Sequence, residues 1–108
     1  MDSDFLNGGI AIIETHLSDS NLAVNFFAKN LNLSKSSLYR KLKSISNLSP
    51  NEFIRNIRLK RGCKMVKSPS VSITDVAYGV GFTDPKYSSS CFKANFDFTP
   101  SEFQKLKQ

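Results

Sequence analysis

The chain has no tryptophan, one histidine and two cysteines among 108 residues. A lone His16 cannot build a metal site or an acid–base pair without partners that this sequence does not supply, so it is expected on an exposed helix surface. Cys63 and Cys91 are too few for a disulfide-stapled scaffold. Both fall at core-facing helical spacing, and free buried thiols in a reducing cytosol are the preferred reading, with a disulfide as the alternative. No apolar run approaches the roughly 20 residues of a membrane span, and no charged-then-apolar opening marks a secretion signal. Glycine-rich phosphate cradles, clustered carboxylates and nucleophiles with a base are all missing. No enzyme activity, cofactor, metal or small-molecule ligand is therefore expected, and the compartment expected is the cytoplasm.

Acid is also scarce, and unevenly so. The net charge is +6. Before Ser34 the acids Asp2, Asp4, Glu14 and Asp19 face only Lys29. Between Lys35 and Lys67 ten basic side chains face the single acid Glu52. A block with that bias attracts polyanions, although a solvated basic surface has the same composition.

The most informative stretch is Ile73 to Phe103. Ser72, Ile73, Thr74 and Asp75 form a capping box with Asp in place of Glu or Gln. Val76, Ala77 and Val80 give the following helix its apolar face. Gly81 then stands four residues after Ala77, where a tight turn between two helices needs positive φ. Asp84 and Pro85 restart the chain as N-cap and first helical residue. Thr99, Pro100, Ser101 and Glu102 open a last helix with a second box. The same punctuation occurs fifty residues earlier, where Ser49, Pro50, Asn51, Glu52 and Phe53 match Thr99 to Phe103 and Lys43 matches Lys93. Upstream the offset is forty-nine: Ala28, Leu31 and Leu33 match Ala77, Val80 and Phe82, so the second turn gains one residue. The spacing predicts a duplicated helix-turn-helix.

The remaining helices follow from periodicity. Met1 to Ser20 reads as a leading helix with Phe5, Leu6, Ile10, Ile13 and Leu17 on one face, interrupted by Gly8 and Gly9. Leu22 to Asn30 has Leu22, Phe26, Phe27 and Leu31 as core candidates and Asn21 as its N-cap. Ser34 caps a helix over 35–45, whose Leu38, Leu42 and Ile45 face inward while Ser36, Tyr39, Arg40 and Lys43 face outward. Pro50 to Val66 is a long helix, about 25 Å at 1.5 Å per residue. Its buried stripe is Phe53, Ile54, Ile57, Met65 and Val66, and its stiffness sets the spacing of the two repeats. The helix over 85–95 repeats the outward pattern with Lys86, Ser89, Ser90 and Lys93. Phe92, Phe96 and Ser88 face inward.

The run I-x-D-V-A-x-x-V-G-F-x-D-x-x-Y-x(4)-F-K-x-x-F-x-x-T-P-S-E-F resembles the signature of AraC-type (AraC/XylS) transcription regulators, and the likeness extends from about Phe5 to Lys105. The resemblance implies an all-α DNA-binding domain spanning residues 1–108. It would have seven helices in two homeodomain-like helix-turn-helix lobes, at about 5–48 and 70–107, joined by a linker helix at about 50–66. Two recognition helices would enter successive major-groove segments of double-stranded DNA. Base contacts are then expected from Ser36, Tyr39 and Arg40 and from Lys86, Ser89 and Ser90. Phosphate contacts are expected from Lys35, Lys43 and Lys93. RNA polymerase is a further expected partner, and a membrane is not.

This chain departs from the family pattern in places. Asn47 and Asp97 replace the usual glycine after each recognition helix, and both residue types tolerate a left-handed cap. Ser88 stands for a large apolar residue, Ser90 for an arginine and Gly62 for an alanine. The opening F-L-x(3)-I-x-I-I-E-x-H-L-S-D-x-N-L resembles the start of output domains in hybrid two-component regulators. The chain is thus expected to be an excised piece of a longer regulator, monomeric alone and dimeric through a missing region. The rival reading is a helix-turn-helix scaffold retained as a protein-interaction module with weak or no specific DNA binding.

Overall fold

A computed structural model describes residues 2–19 and 24–106, and every regular element among them is helical. The helices are α1 (Asp2–Thr15), α2 (Val24–Asn30), α3 (Lys35–Ser46), α4 (Pro50–Met65), α5 (Ile73–Gly79), α6 (Pro85–Phe96) and α7 (Pro100–Leu106). The chain divides into two compact units, one of residues 1–17 and 21–57 and one of residues 18–20 and 58–108. The boundary falls inside α4.

In the first unit the core is Ile13, Phe27, Ala28, Leu38, Leu42, Phe53, Ile54 and Ile57, with Phe5, Leu6, Ile10 and Leu17 packed at its edge. Phe27 and Phe53 stack with centroids 6.0 Å apart. Gly9 has a packing reason to be glycine: a Cβ there would meet the Phe27 ring at 3.2 Å, and that ring is fully buried. Gly8 faces open space. The leading helix is shorter than its periodicity predicts. It stops at Thr15, and the N–H of His16 is shared between the carbonyls of Ile12 and Ile13. His16 is half-buried rather than exposed, edge-on to Phe26 at 4.9 Å. Phe26 itself, expected in the core, is 39% exposed, because α2 turns Phe27 and Ala28 inward. Asn21 and Leu22 lie outside the described residues.

In the second unit Leu59, Val66, Val76, Ala77, Val80, Phe82 and Phe92 are buried. Phe92 lies 4.7 Å from Phe96 and 5.7 Å from Phe103, centroid to centroid, which holds α6 and α7 together. The Gln104 side-chain amide donates to the carbonyls of Ser68 and Val71, at 3.0 and 3.1 Å. Along this part of α4 the inward positions are Leu59 and Gly62, and Val66, just past its end, is buried as well. Met65, expected inside, is the last helical residue and is 39% exposed. A Cβ on Gly62 would come no closer than 3.6 Å to Val76, so an alanine would fit. Cys63 and Cys91 are free thiols, each half-buried.

The two turns have the same backbone. Asn32 and Gly81 take positive φ, 58° and 99°. The next N–H, of Leu33 or Phe82, donates to the carbonyl five residues back, Ala28 or Ala77, at 3.0 Å in both units. The turn residue's own N–H donates to Lys29 or Tyr78, at 3.1 and 3.0 Å. This is a Schellman motif used twice. The extra residue of the second turn is Thr83, between Phe82 and the N-cap Asp84, whereas Ser34 follows Leu33 directly.

The predicted left-handed caps are also present, with φ of 62° at Asn47 and 71° at Asp97, each N–H returning to the carbonyl of Lys43 or Lys93. Glycine at either position should be neutral or stabilising in urea unfolding, while valine should cost about 1 kcal/mol or more, because a β-branched residue resists positive φ.

Candidate nucleic-acid interface

Each unit presents the second helix of its turn as an exposed, donor-bearing face. In α3 the start is fixed by Ser34, whose hydroxyl accepts the N–H of Ser37 at 3.1 Å. Leu38 and Leu42 are buried, which leaves Lys35, Ser36, Tyr39, Arg40 and Lys43 exposed together. Tyr39 is 47% exposed, a large ring only half covered. Not all the charge on α3 is uncommitted. The Lys41 ammonium lies 4.6 Å over the Phe5 ring, and the Lys43 ammonium donates to the Asn47 carbonyl at 3.4 Å.

In α6 the Asp84 carboxylate accepts the N–H of Lys86 at 3.0 Å, and Pro85 occupies the first turn. Ser88 and Phe92 are the buried positions, fifty residues after Leu38 and Leu42. Lys86, Ser90 and Lys93 are exposed, and Ser89 is half-buried. Ser89, Ser90 and Lys93 line a shallow open groove of about 420 Å³ together with Ala94 and Thr99. Sequence spacing did not single out Ala94 or Thr99. Ala94 lies one position beyond Lys93 on the same face, and Thr99 reaches the groove because the cap at Asp97 folds the chain back there. Lys86 does not line the groove.

Both helices end against a reciprocal capping box. The Glu52 carboxylate accepts the N–H of Ser49 at 2.9 Å, and the N–H of Glu52 returns to the Ser49 hydroxyl at 3.2 Å. Glu102 and Thr99 repeat this at 2.8 and 3.2 Å. The backbone N–H of Ser49 or Thr99, then its hydroxyl, pulls each glutamate below its ordinary pKa, and nearby cations add to the shift. Those cations are Lys43 and Arg55 in the first unit and Lys93 and Lys105 in the second. Each box therefore sets an acidic group beside the lysine that closes each exposed face. Among the described residues no three His, Cys, Asp or Glu side chains gather to hold a metal, and no helix is long and apolar enough to cross a membrane.

A family described as "Helix-turn-helix domain" matches residues 27–106. Histidine kinase P4 of Formosa agariphila is 36% identical over 104 residues, which are 96% of this chain and 8% of that protein. The Msm operon regulatory protein of Streptococcus mutans is 42% identical over 86 residues, 80% of this chain and 31% of the relative. This chain thus spans a small part of both. The C-terminal domain of AraT, a response regulator from Geobacillus stearothermophilus, superposes with a TM-score of 0.83 at 25% identity, covering 94% of this chain and 84% of that one. A transcriptional regulator with an AraC-type DNA-binding domain from Chromobacterium violaceum gives 0.86 at 22%, covering 94% and 90%. The DNA-binding domain of AdpA, solved in complex with a target DNA, gives 0.83 at 19%, covering 94% and 90%.

The capping boxes make stability acid-sensitive. Each glutamate ionises more readily in the fold than in the unfolded chain. Its contribution is therefore complete above the unfolded value of about 4.3 and is lost as pH falls through the lower folded value. The thermal midpoint should drop between about pH 5 and pH 3, and Glu52→Gln or Glu102→Gln should flatten that drop. A variant retaining the parent's full acid dependence would remove its box from the account.

Proposed function

The chain belongs to the AraC-type helix-turn-helix family, and from that membership we propose that it binds double-stranded DNA sequence-specifically as the output domain of a bacterial transcription regulator. The observation that carries this reading is the doubled motif. Two turns with one backbone geometry each hold a helix whose outward face bears hydroxyls and cations and no acid. In this reading α3 and α6 lie in neighbouring major-groove segments, which B-DNA spaces about 34 Å apart. Ser36, Tyr39, Arg40, Lys86, Ser89 and Ser90 address base edges, and Lys35, Lys43 and Lys93 address phosphates. The DNA bound to the AdpA domain supports the same class of ligand for this fold. In the full-length regulator, sensing and dimerisation belong to regions beyond this domain. RNA polymerase is a second partner, the cytoplasm is the site of action, and the isolated domain is a non-catalytic monomer.

The two helices divide the work unequally. Arg40 can grip guanine through two hydrogen bonds, a contact worth about 1–3 kcal/mol of discrimination, whereas a serine hydroxyl has little preference among bases. The first unit therefore reads sequence more than the second, which chiefly positions the domain.

Binding should be strongly electrostatic. If about six phosphates are neutralised, log K should fall with log salt at a slope near −5. Titrating a random-sequence duplex at several salt concentrations measures this. A slope flatter than about −2 would leave no room for such a footprint and would favour a scaffold that binds protein instead.

Arg40→Ala should relax base preference in one half of the selected site, while Lys93→Ala should weaken all sequences about equally. The comparison uses a cognate duplex selected from a random pool and duplexes altered in each half. If Ser89→Ala or Lys86→Ala abolished preference while Arg40→Ala kept it, the reading unit would be the second.

A further inference from the structure

The shallow hollow on α6 has a chemistry that the matching part of α3 lacks. Ser89, Ser90, Lys93, Ala94 and Thr99 line it, and all belong to the second unit. Ala94 is exposed, so its methyl group is open to whatever enters. Thr99 is half-buried, and its polar atoms already have partners inside the fold. Its N–H donates to the Glu102 carboxylate, its hydroxyl oxygen accepts the Glu102 N–H, and its carbonyl accepts the N–H of Phe103 at 2.9 Å. Fifty residues earlier, the places of Ala94 and Thr99 are held by Ser44 and Ser49. The duplication has thus put two methyl groups into the second unit where the first has none.

Each base shows a different edge in the major groove. Guanine presents two acceptors, which suit an arginine fork, and adenine an acceptor and a donor, which suit Asn or Gln. Cytosine presents a donor, which suits an acid. Thymine sets an acceptor, O4, beside the methyl group on C5. The hollow has no fork, no amide side chain and no acid. It has hydroxyl and ammonium donors next to methyl groups, which is the complement of thymine. A serine hydroxyl could also accept from cytosine, but the methyl groups would then meet only a C–H. The position of the C5 methyl fits as well. It lies on the backbone side of the base edge, so residues beside a lysine on the phosphate can reach it.

We propose that Ala94 and Thr99 are specificity-determining residues: they hold the C5 methyl group of one thymine, while Ser89 or Ser90 donates to its O4 and Lys93 meets the adjoining phosphate. The proposal rests on α6 lying in a major groove, as the preceding reading holds. It adds one apolar preference to the positioning role of the second unit. Arg40 remains the stronger reader. Burying one methyl group is worth about fourfold in affinity, against roughly 5- to 150-fold discrimination for a bidentate arginine.

The test uses a duplex selected from a random pool, in which deoxyuridine replaces thymine one position at a time. That exchange removes a methyl group and leaves every hydrogen-bonding atom in place. In the half of the site whose preference Arg40→Ala leaves intact, one such exchange should weaken binding about fourfold. The double variant Ala94→Ser, Thr99→Ser restores the residues of the first unit and keeps the hydroxyl of the capping box. It should bind the thymine and deoxyuridine duplexes equally, with the parent's salt slope, because no charge has changed. Three results would overturn the proposal: a selected site without thymine in that half, a parent indifferent to every exchange there, or a double variant that discriminates as the parent does. The scan on the parent decides the matter even if the variant failed to fold. A parent salt slope flatter than about −2 would instead remove the DNA reading itself. With a steep slope, failure falls on the hollow alone.

Discussion

Each helix-turn-helix depends on one residue held at positive φ between its two helices. At Asn32 and Gly81 the chain reverses within a single residue, and the following N–H reaches the carbonyl five positions back. That bond satisfies a carbonyl the ending helix would otherwise leave open. It also turns the next side chain toward the core, Leu33 in one unit and Phe82 in the other. The N-cap comes one or two residues later, so the start of the exposed helix is fixed by the turn. Asn and Gly are among the few residues that hold this conformation at low cost. A change there would misdirect α3 or α6 without touching their outward faces.

The duplication preserves this backbone and lets the packing beneath it diverge. The first unit seats α3 with two leucines, Leu38 and Leu42, both essentially inaccessible. The second has Ser88 and Phe92 at those places. The volume lost at Ser88 is offset by the Phe92, Phe96 and Phe103 cluster, and what remains is the small cavity that Arg58 borders. The outward faces diverge as well. Tyr39 and Arg40 project far, while Ser89, Ser90 and Ala94 leave a shallow hollow. Similar backbones thus present surfaces of different reach.

What was legible in the sequence was mostly local. Caps, boxes and left-handed residues are short-range backbone problems with few chemical solutions, so Ser34, Ser72, Asp84, Asn47 and Asp97 could be read from neighbours within four positions. Helix faces were legible except where two apolar residues adjoin, at Phe26 and Met65. Adjacent apolar residues compete for the same inward direction, and periodicity does not choose between Phe26 and Phe27 or between Met65 and Val66. Tertiary packing chose Phe27 and Val66. The end of α1 was missed because Leu17 continues the apolar period after the hydrogen bonding has stopped. Arg58 was undecidable in principle: its direction depends on a carbonyl thirty-nine positions away. The groove on α6 needed the fold for the same reason, since Thr99 enters it only after the chain has reversed at Asp97.

Charge in such a domain acts in two ways that composition merges. Lys41 contributes to the field felt by an approaching polyanion, because a contact with an aromatic ring does not neutralise a cation. Steering of encounter follows the summed field, so Lys41 counts fully there. The salt slope follows phosphates neutralised at contact, and a lysine anchored on Phe5 is less free to supply one. Arg58 is further from that role, with one N–H bonded to a backbone carbonyl and another buried. Lys43 and Lys93 lie between the extremes, each beside a capping glutamate whose carboxylate is committed to a backbone N–H. That commitment keeps the carboxylate from folding over the lysine as a closed ion pair. The capping box thereby leaves Lys93 clear of a closed ion pair and Lys43 held only by the Asn47 carbonyl, which a freely rotating glutamate at the same place would not.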